Sequence, residues 1–291
     1  MKKHFLISFS FLLVIAFIMA GCQKNSNVVS PQDNSAANSL SKKGAEKVVM
    51  RHNGHLISVS INAMNAHFAL GDQQVVTSAD LATDFNDVAA SPYKWFFYND
   101  ETDQIDNSLG SFVTGPGIPP YGNGSAQISV SGTQRRNLAT YQFSGTPLAD
   151  INVLAFSTYN PSVGNGGSAN RSGYLNFNVD FDGSDTWQHR LIFVPVDNGT
   201  VIQNQWQEWD CINGGNALWR FSGSVWPGTS TPGTTTKTWS QILSEYPGVR
   251  VRVTDSWLGI RVGEPYANGY TENIDGFKFG TTFTKTFDFE N

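Results

Sequence analysis

The chain has 291 residues and a formal net charge of −5, with 15% of residues charged and 13% aromatic. Nothing in that balance supplies the basic stripe that a nucleic-acid partner requires, so no nucleic acid is expected. Only two cysteines occur, Cys22 and Cys211, so a disulfide framework is excluded and the fold must rest on an apolar core.

Residues 1–21 carry a lysine pair, an apolar run from Phe5 to Ala20 and then small residues, the pattern of a secretory signal peptide. The stretch Met19-Ala20-Gly21-Cys22 resembles the lipobox of bacterial lipoproteins, in which the cysteine is acylated. The resemblance implies lipid on Cys22, a membrane partner through that lipid, and a place in the cell envelope at the outer membrane or cell surface. Residues 22–47 are rich in Asn, Ser, Ala and Gln and hold no aromatic residue; they read as a disordered tether.

Residues 48–91 form a small strand, turn and helix segment. Its stretch VVMRHNGHLISVSINAMNAHFALGD resembles a short module of secreted bacterial proteins in which a Cys-His pair precedes a Gly-His turn, an alternating strand and a closing Ala-His-Leu-x-His-Gly-Asp. His52, His55, His67, Gly71 and Asp72 match, while Arg51 and Leu70 stand where the cysteine and the last histidine would be. Zinc takes four N or S donors and two are missing, so the expectation is solvated histidines, followed by a short helix that Ser78 starts.

From residue 92 to 291 short β-branched and aromatic runs alternate with turn residues. AQISVSG, ATYQFSG, NVLAFSTYN, GYLNFNVDF, HRLIFVPVD, VRVRVTD, WLGIRVG, IDGFKFG and KTFDFE read as strands, and TWSQILSEYPG as one short helix. The class is all-β, a jelly-roll-like antiparallel β-sandwich. DFDGSDTW, VRVRVTDSWLGIRVG taken as a hairpin, and a closing NIDGFKFG resemble the jelly-roll domains of carbohydrate-binding modules and of many bacterial surface proteins.

Alternation then selects a site. In GYLNFNVDF the residues Leu175, Phe177 and Val179 take one face, which leaves Asn176, Asn178 and Asp180 on the other. The same parity groups Arg250, Arg252, Arg261 and Trp257 with them. Amides, a carboxylate and guanidiniums meet sugar hydroxyls, and an indole stacks on a sugar ring, so this face is expected to bind glycan; the plainer alternative is cross-strand ion pairs on a wet surface. Glu264, Tyr266 and Tyr270, in a loop at the rim, are expected to edge the ligand. Trp219, Trp226 and Trp239 flank a Gly/Pro/Thr-rich loop that is expected to wall a cleft. Jelly-roll modules of this kind often hold a structural calcium between the start of the domain and the final strand, which implies Asp100, Asp103 and Asp275 as ligands.

The chain lacks a Gly-x-Ser-x-Gly elbow, a His-Glu-x-x-His pair and a phosphate loop, and no catalytic residue is assigned. Non-catalytic binding of a glycan or another extracellular polymer is the favoured reading. A polysaccharide-degrading hydrolase or lyase, and an adhesion or assembly protein that recognises another protein, remain the alternatives.

Overall fold

The computed structural model describes residues 46–163, 169–214, 216–263 and 266–291, with backbone only at 266–268. Cys22, most of the tether and Glu264 lie outside the described residues. The chain begins with strands β1 (Lys47–His52) and β2 (His55–Ser60), helix α1 (Met64–Ala69), strand β3 (Gln73–Val76) and helix α2 (Phe85–Ala90). Strands β4 (Trp95–Asn99), β5 (Gln104–Ile105), β6 (Gly110–Thr114), β7 (Gly124–Gly132), β8 (Arg135–Thr140), β9 (Val153–Tyr159), β10 (Tyr174–Asp180) and β11 (Arg190–Phe193) follow. Beyond helix α3 (Pro195–Asn198) come β12 (Trp206–Asp210), β13 (Leu218–Phe221), β14 (Lys237–Thr238), helix α4 (Trp239–Glu245), β15 (Arg250–Val251), β16 (Leu258–Gly263), β17 (Tyr266–Gly280) and β18 (Thr284–Phe289).

These strands make the expected sandwich. Sheet 1 runs β12-β9-β17-β18-β3-β1-β2, with β7 and β6 beside the first half of β17; sheet 2 runs β14-β13-β11-β10-β16-β8-β4-β5. Successive strands β7, β8, β9 and β10 alternate between the sheets, as jelly-roll wiring demands. Segment 48–91 is built into sheet 1, because β3 pairs parallel to β18 and antiparallel to β1. Arg51, in the place of the module's cysteine, clamps that junction: its guanidinium donates to Asp288 at 2.7 Å and to Glu290 at 2.9 Å.

The core lies between the sheets. Trp95 sits among Phe277, Phe287 and Phe289, with ring centroids 5.5, 5.2 and 5.0 Å away. Leu175, Phe177 and Val179 are fully buried on the core side, as alternation predicts. Cys211 is a free, buried thiol whose pKa burial pushes up.

Four local expectations change. Tyr141 to Gly145 leave the sheet, since the strand there is β8, ending at Thr140. The turn at Ser78 is a single 3-10 turn capped by Thr77, and α2 starts at Asp84, whose carboxylate accepts from Asp87 N at 2.8 Å. The proposed 249–263 hairpin is one interrupted strand: β15 and β16 both run antiparallel to β10, pairing Val251 with Val179 and Leu258 with Phe177. Residues 252–257 bulge out between the two halves, and Val253 is 49% exposed instead of core. Finally, Trp219, Trp226 and Trp239 are all buried in the core, where Trp219 meets Trp239 at 5.3 Å, although Trp239 also borders a recess with Thr238, Ser240 and Leu243.

The last long strand needs one extra residue. Tyr270, Glu272 and Ile274 pair with Val130, Ile128 and Ala126 on β7, and the core side resumes at Phe277 and Phe279. The register shifts between Asp275 and Lys278, where Gly276 has φ +62°. A Cβ there would lie 3.2 Å from the Tyr121 ring, so glycine supplies both the backbone conformation and the room.

Candidate functional site

The outer face of sheet 2 carries the polar side chains that alternation assigns to it, but it is covered. Asn176, Asn178 and Asp180 are buried, Arg261 is 7% exposed and Trp257 only 2%. Most of their polar atoms bond within the protein, while Asn176 Oδ1 and Trp257 Nε1 have no hydrogen-bond partner. Asp180 Oδ1 accepts from Gly183 N at 2.9 Å, and its Oδ2 takes Arg250 Nε at 2.8 Å. Asp180 therefore organises the 181–189 turn, and Arg250 is its cross-strand partner. Asn176 donates to Gly259 O, and Arg261 Nε donates to Asn137 Oδ1 at 3.0 Å.

A cleft of about 490 Å³ opens beside this covered patch, lined by Phe85, Tyr98, Asp103, Tyr141, Trp187, Arg190 and Asp255. Six segments deliver these residues. Phe85 comes from the first turn of α2, Tyr98 from β4 and Asp103 from the turn after it. Tyr141 follows the end of β8, Trp187 and Arg190 come from the turn before β11 and its first residue, and Asp255 tips the bulge that interrupts the strand. Asp103, Asp185, His189 and Asp255 all adopt positive φ (+52°, +56°, +69° and +51°) in the turns around the cleft. Aspartate tolerates that region; histidine does so at a cost.

Below the cleft is a fixed electrostatic layer. Trp257 lies under Arg190, whose guanidinium carbon is 4.7 Å from its ring centroid, with Arg261 at 5.8 Å. Asp100 bridges the two guanidiniums at 3.1 and 2.8 Å. Arg190 Nε also donates to Asn178 Oδ1 at 3.0 Å, and Asn178 Nδ2 donates to Asp255 Oδ2 at 3.0 Å. Arg252 adds an ion pair to Asp255 at 3.7 Å. Burial, then the neighbouring Arg261, lowers the Arg190 pKa.

At the mouth, two tyrosine hydroxyls are paired with two carboxylates. Tyr98 donates to Asp103 at 2.8 Å and Tyr141 to Asp255 at 2.7 Å. Burial, reinforced by these carboxylates, drives both phenols well above their ordinary range. Burial also raises the Asp255 carboxyl, against the lowering effects of Tyr141 and Arg252. Each carboxylate keeps lone pairs beyond its tyrosine, and the aromatic rings supply apolar planes. The cleft is suited to a ligand with hydroxyls at its edge and an apolar face.

The expected site residues thus divide. Asn178, Trp257 and Arg252 support the cleft from beneath or beside it, and Trp257 offers no open stacking plane because Arg190 covers it. Asn176, Asp180, Arg250 and Arg261 are framework. Tyr270 is 1% exposed and belongs to the core, because β17 begins its pairing with β7 already at Tyr266; Tyr266 is placed by its backbone alone. Asp100, Asp103 and Asp275 do not converge on a cation: Asp100 is held by arginines, Asp103 by Tyr98, and Asp275 lies in sheet 1, accepting from Tyr121 N and Phe289 N at 3.0 Å each. Phe85, Tyr98, Tyr141, Trp187, Arg190 and Asp255 were not singled out from sequence. The one local signal was Trp187, a large aromatic in the acidic turn DFDGSDTW, and it is 48% exposed.

Fold and cleft together define an all-β sandwich with an aromatic-walled recess on one outer face. No protein-family model and no curated protein matches the chain. Among solved structures, the chain is similar to a β-1,2-glucanase from Parabacteroides distasonis at 8% identity and TM-score 0.33, covering 65% of this chain and 22% of that one. It is similar to the L4b domain of human laminin α-2 at 11% identity and TM-score 0.34, covering 66% and 90%. The carbohydrate-binding module TmCBM61, solved with β-1,4-galactotriose, gives 13% identity and TM-score 0.27, covering 66% and 89%. Likenesses this distant carry no argument about the ligand of the cleft.

Proposed function

We propose that the cleft holds a glycan without transforming it, in a chain tethered to the cell envelope through lipid on Cys22. The observation that carries the reading is the convergence of Phe85, Tyr98, Tyr141 and Trp187 with the fixed groups Asp103, Asp255 and Arg190 in one recess of about 490 Å³. That volume falls in the range of small-ligand sites, about 300–1,000 Å³. Aromatic rings stack on the apolar face of a sugar, and carboxylates and a guanidinium that are held in place lose little entropy when they accept or donate to hydroxyls.

Retention on a panel of soluble and insoluble polysaccharides tests the reading. Retention that Trp187→Ala weakens, with no reducing ends or unsaturated product released, supports it. Release of product makes the chain a hydrolase or lyase, for which the raised carboxyl of Asp255 is the first candidate acid. No retention on any polysaccharide turns the reading to protein recognition. Labelling with a radioactive fatty acid, lost in Cys22→Ser, tests the anchor, and protease shaving of intact cells tests the cell-surface placement.

A further inference from the structure

Away from the cleft, three side chains of sheet 1 and its first helix converge. His52 ends β1, His67 lies in the last turn of α1, and Asp72 sits between α1 and β3. The backbone brings them together. Gly71, at φ +87°, turns the chain out of the helix, and Asp72 N donates back to His67 O at 3.1 Å. The β1–β3 ladder ends by pairing Arg51 with Gln73, so the next residues outward, His52 and Asp72, face each other.

The Asp72 carboxylate is 5% exposed and both imidazoles point Nδ1 at it: His52 Nδ1 lies 2.9 Å from both oxygens, and His67 Nδ1 lies 2.7 Å from Oδ2. The three donor atoms lie within 4.8 Å of one another, and the rings meet edge to face with centroids 6.1 Å apart. Both rings keep solvent access, with 39% of the His52 side chain and 21% of the His67 side chain exposed. Two imidazoles and a carboxylate are a donor set for borderline divalent metals. An outer support is present as well: the Asn53 amide stands 3.1 Å from His52 Nε2, and turned over it presents its oxygen to an Nε2–H.

We propose that His52, His67 and Asp72 bind one divalent transition-metal ion of the zinc class through the two Nδ1 atoms and the carboxylate, with the remaining position left to water. Donors around a tetrahedral ion with bonds of about 2.0–2.1 Å stand roughly 3.3 Å apart, so the Nδ1–carboxylate separations of 2.7 and 2.9 Å widen by about half an ångström on loading. The ion replaces the hydrogen bonds between the two imidazoles and Asp72 and joins the β1–β2 turn to the end of α1.

The full chain, stripped with a chelator, is titrated with Zn²⁺ by calorimetry and with Co²⁺ by visible absorption. One equivalent of Zn²⁺, a Co²⁺ spectrum of imidazole and carboxylate ligation, and a thermal midpoint that rises with Zn²⁺ are expected. His67→Gln keeps an N–H for Asp72 but loses the imidazole, so it remains folded by circular dichroism and loses the equivalent. Where His67→Gln does not fold, His52→Gln at the exposed end of β1 replaces it with the same expected loss. No Zn²⁺ uptake by the parent chain overturns the proposal, and so does uptake that the folded histidine variant leaves unchanged.

Discussion

Carboxylates on the two sheets are used in opposite ways. On sheet 1, Asp275 gives its two oxygens to the backbone N–H groups of Phe289 and Tyr121, while Asp288 takes Arg51. On sheet 2, Asp103 and Asp255 accept from the hydroxyls of Tyr98 and Tyr141 at the edge of a cavity. A carboxylate that receives main-chain donors fixes the path of the chain. One that receives side-chain hydroxyls beside open space leaves acceptor capacity for a ligand. Partners and burial together separate framework from site: Asp275 and Asp288 are fully buried, whereas 49% of the Asp255 side chain stays exposed.

Five experiments break or sharpen that contrast. The largest effect is expected from Trp257→Ala, which removes the ring beneath Arg190. A buried tryptophan truncation costs about 3–5 kcal/mol, and polysaccharide retention should fall with stability, since the guanidinium loses its platform. Denaturant unfolding and retention, measured on one preparation, check both losses. Asp275→Ala should cost about 2–3 kcal/mol by leaving two buried N–H donors unmet, yet leave retention per folded molecule unchanged; a parallel loss of retention joins the two faces and ends the contrast.

The pH dependence of stability gives the next test. Burial foremost, opposed by the Phe289 N–H and aided by Asp288, pushes the Asp275 carboxyl from 3.8 up to about 8. Between those values the folded chain holds a proton that the unfolded chain has released. The stability linked to Asp275 is therefore fully present below its unfolded pKa and is lost as pH rises through about 8. Thermal midpoints of the parent chain should decline from pH 5 to 8, and Asp275→Asn should flatten that slope. The smallest effects belong to the cleft wall. Trp187→Ala should leave stability within about 0.5 kcal/mol, because the ring is exposed, and should weaken ligand by about 1 kcal/mol, near fivefold. Tyr141→Phe, which frees Asp255 of its hydroxyl partner, should shift affinity by a similar amount or less.

Much of the architecture was legible because strand alternation is a local signal. GYLNFNVDF placed Leu175, Phe177 and Val179 in the core and Asn176, Asn178 and Asp180 opposite; the structure puts the first three in the core cluster and none of the last three, which are buried all the same. Parity says which way a side chain points, however, and not what lies over it; the 181–189 turn and the 252–257 bulge cover that face. Tyr270 was misplaced because GEPYANGYTEN looks like a loop by composition, although the backbone from Tyr266 onward is strand. The cleft itself was hidden for a different reason. Its seven lining residues come from segments spread between Phe85 and Asp255, and only pairing β8, β16, β10 and β11 side by side gathers them. The His52–His67–Asp72 cluster escaped because the comparison with the module counted missing donors, while the ladder end that sets His52 against Asp72 is a matter of register.

The break between β15 and β16 has one more consequence. Because Val251 and Leu258 are each anchored to β10, and Arg252 N and Trp257 O still bond the Asn178 backbone, residues 253–256 alone stand clear of the ladder, and their number is independent of its register. The position works as an insertion port: a longer or shorter segment there reshapes the rim that carries Asp255 while the two flanking half-strands stay where they are. On the proposed reading, exchange of this loop changes ligand preference at the rim while the sandwich stays an unchanged chassis.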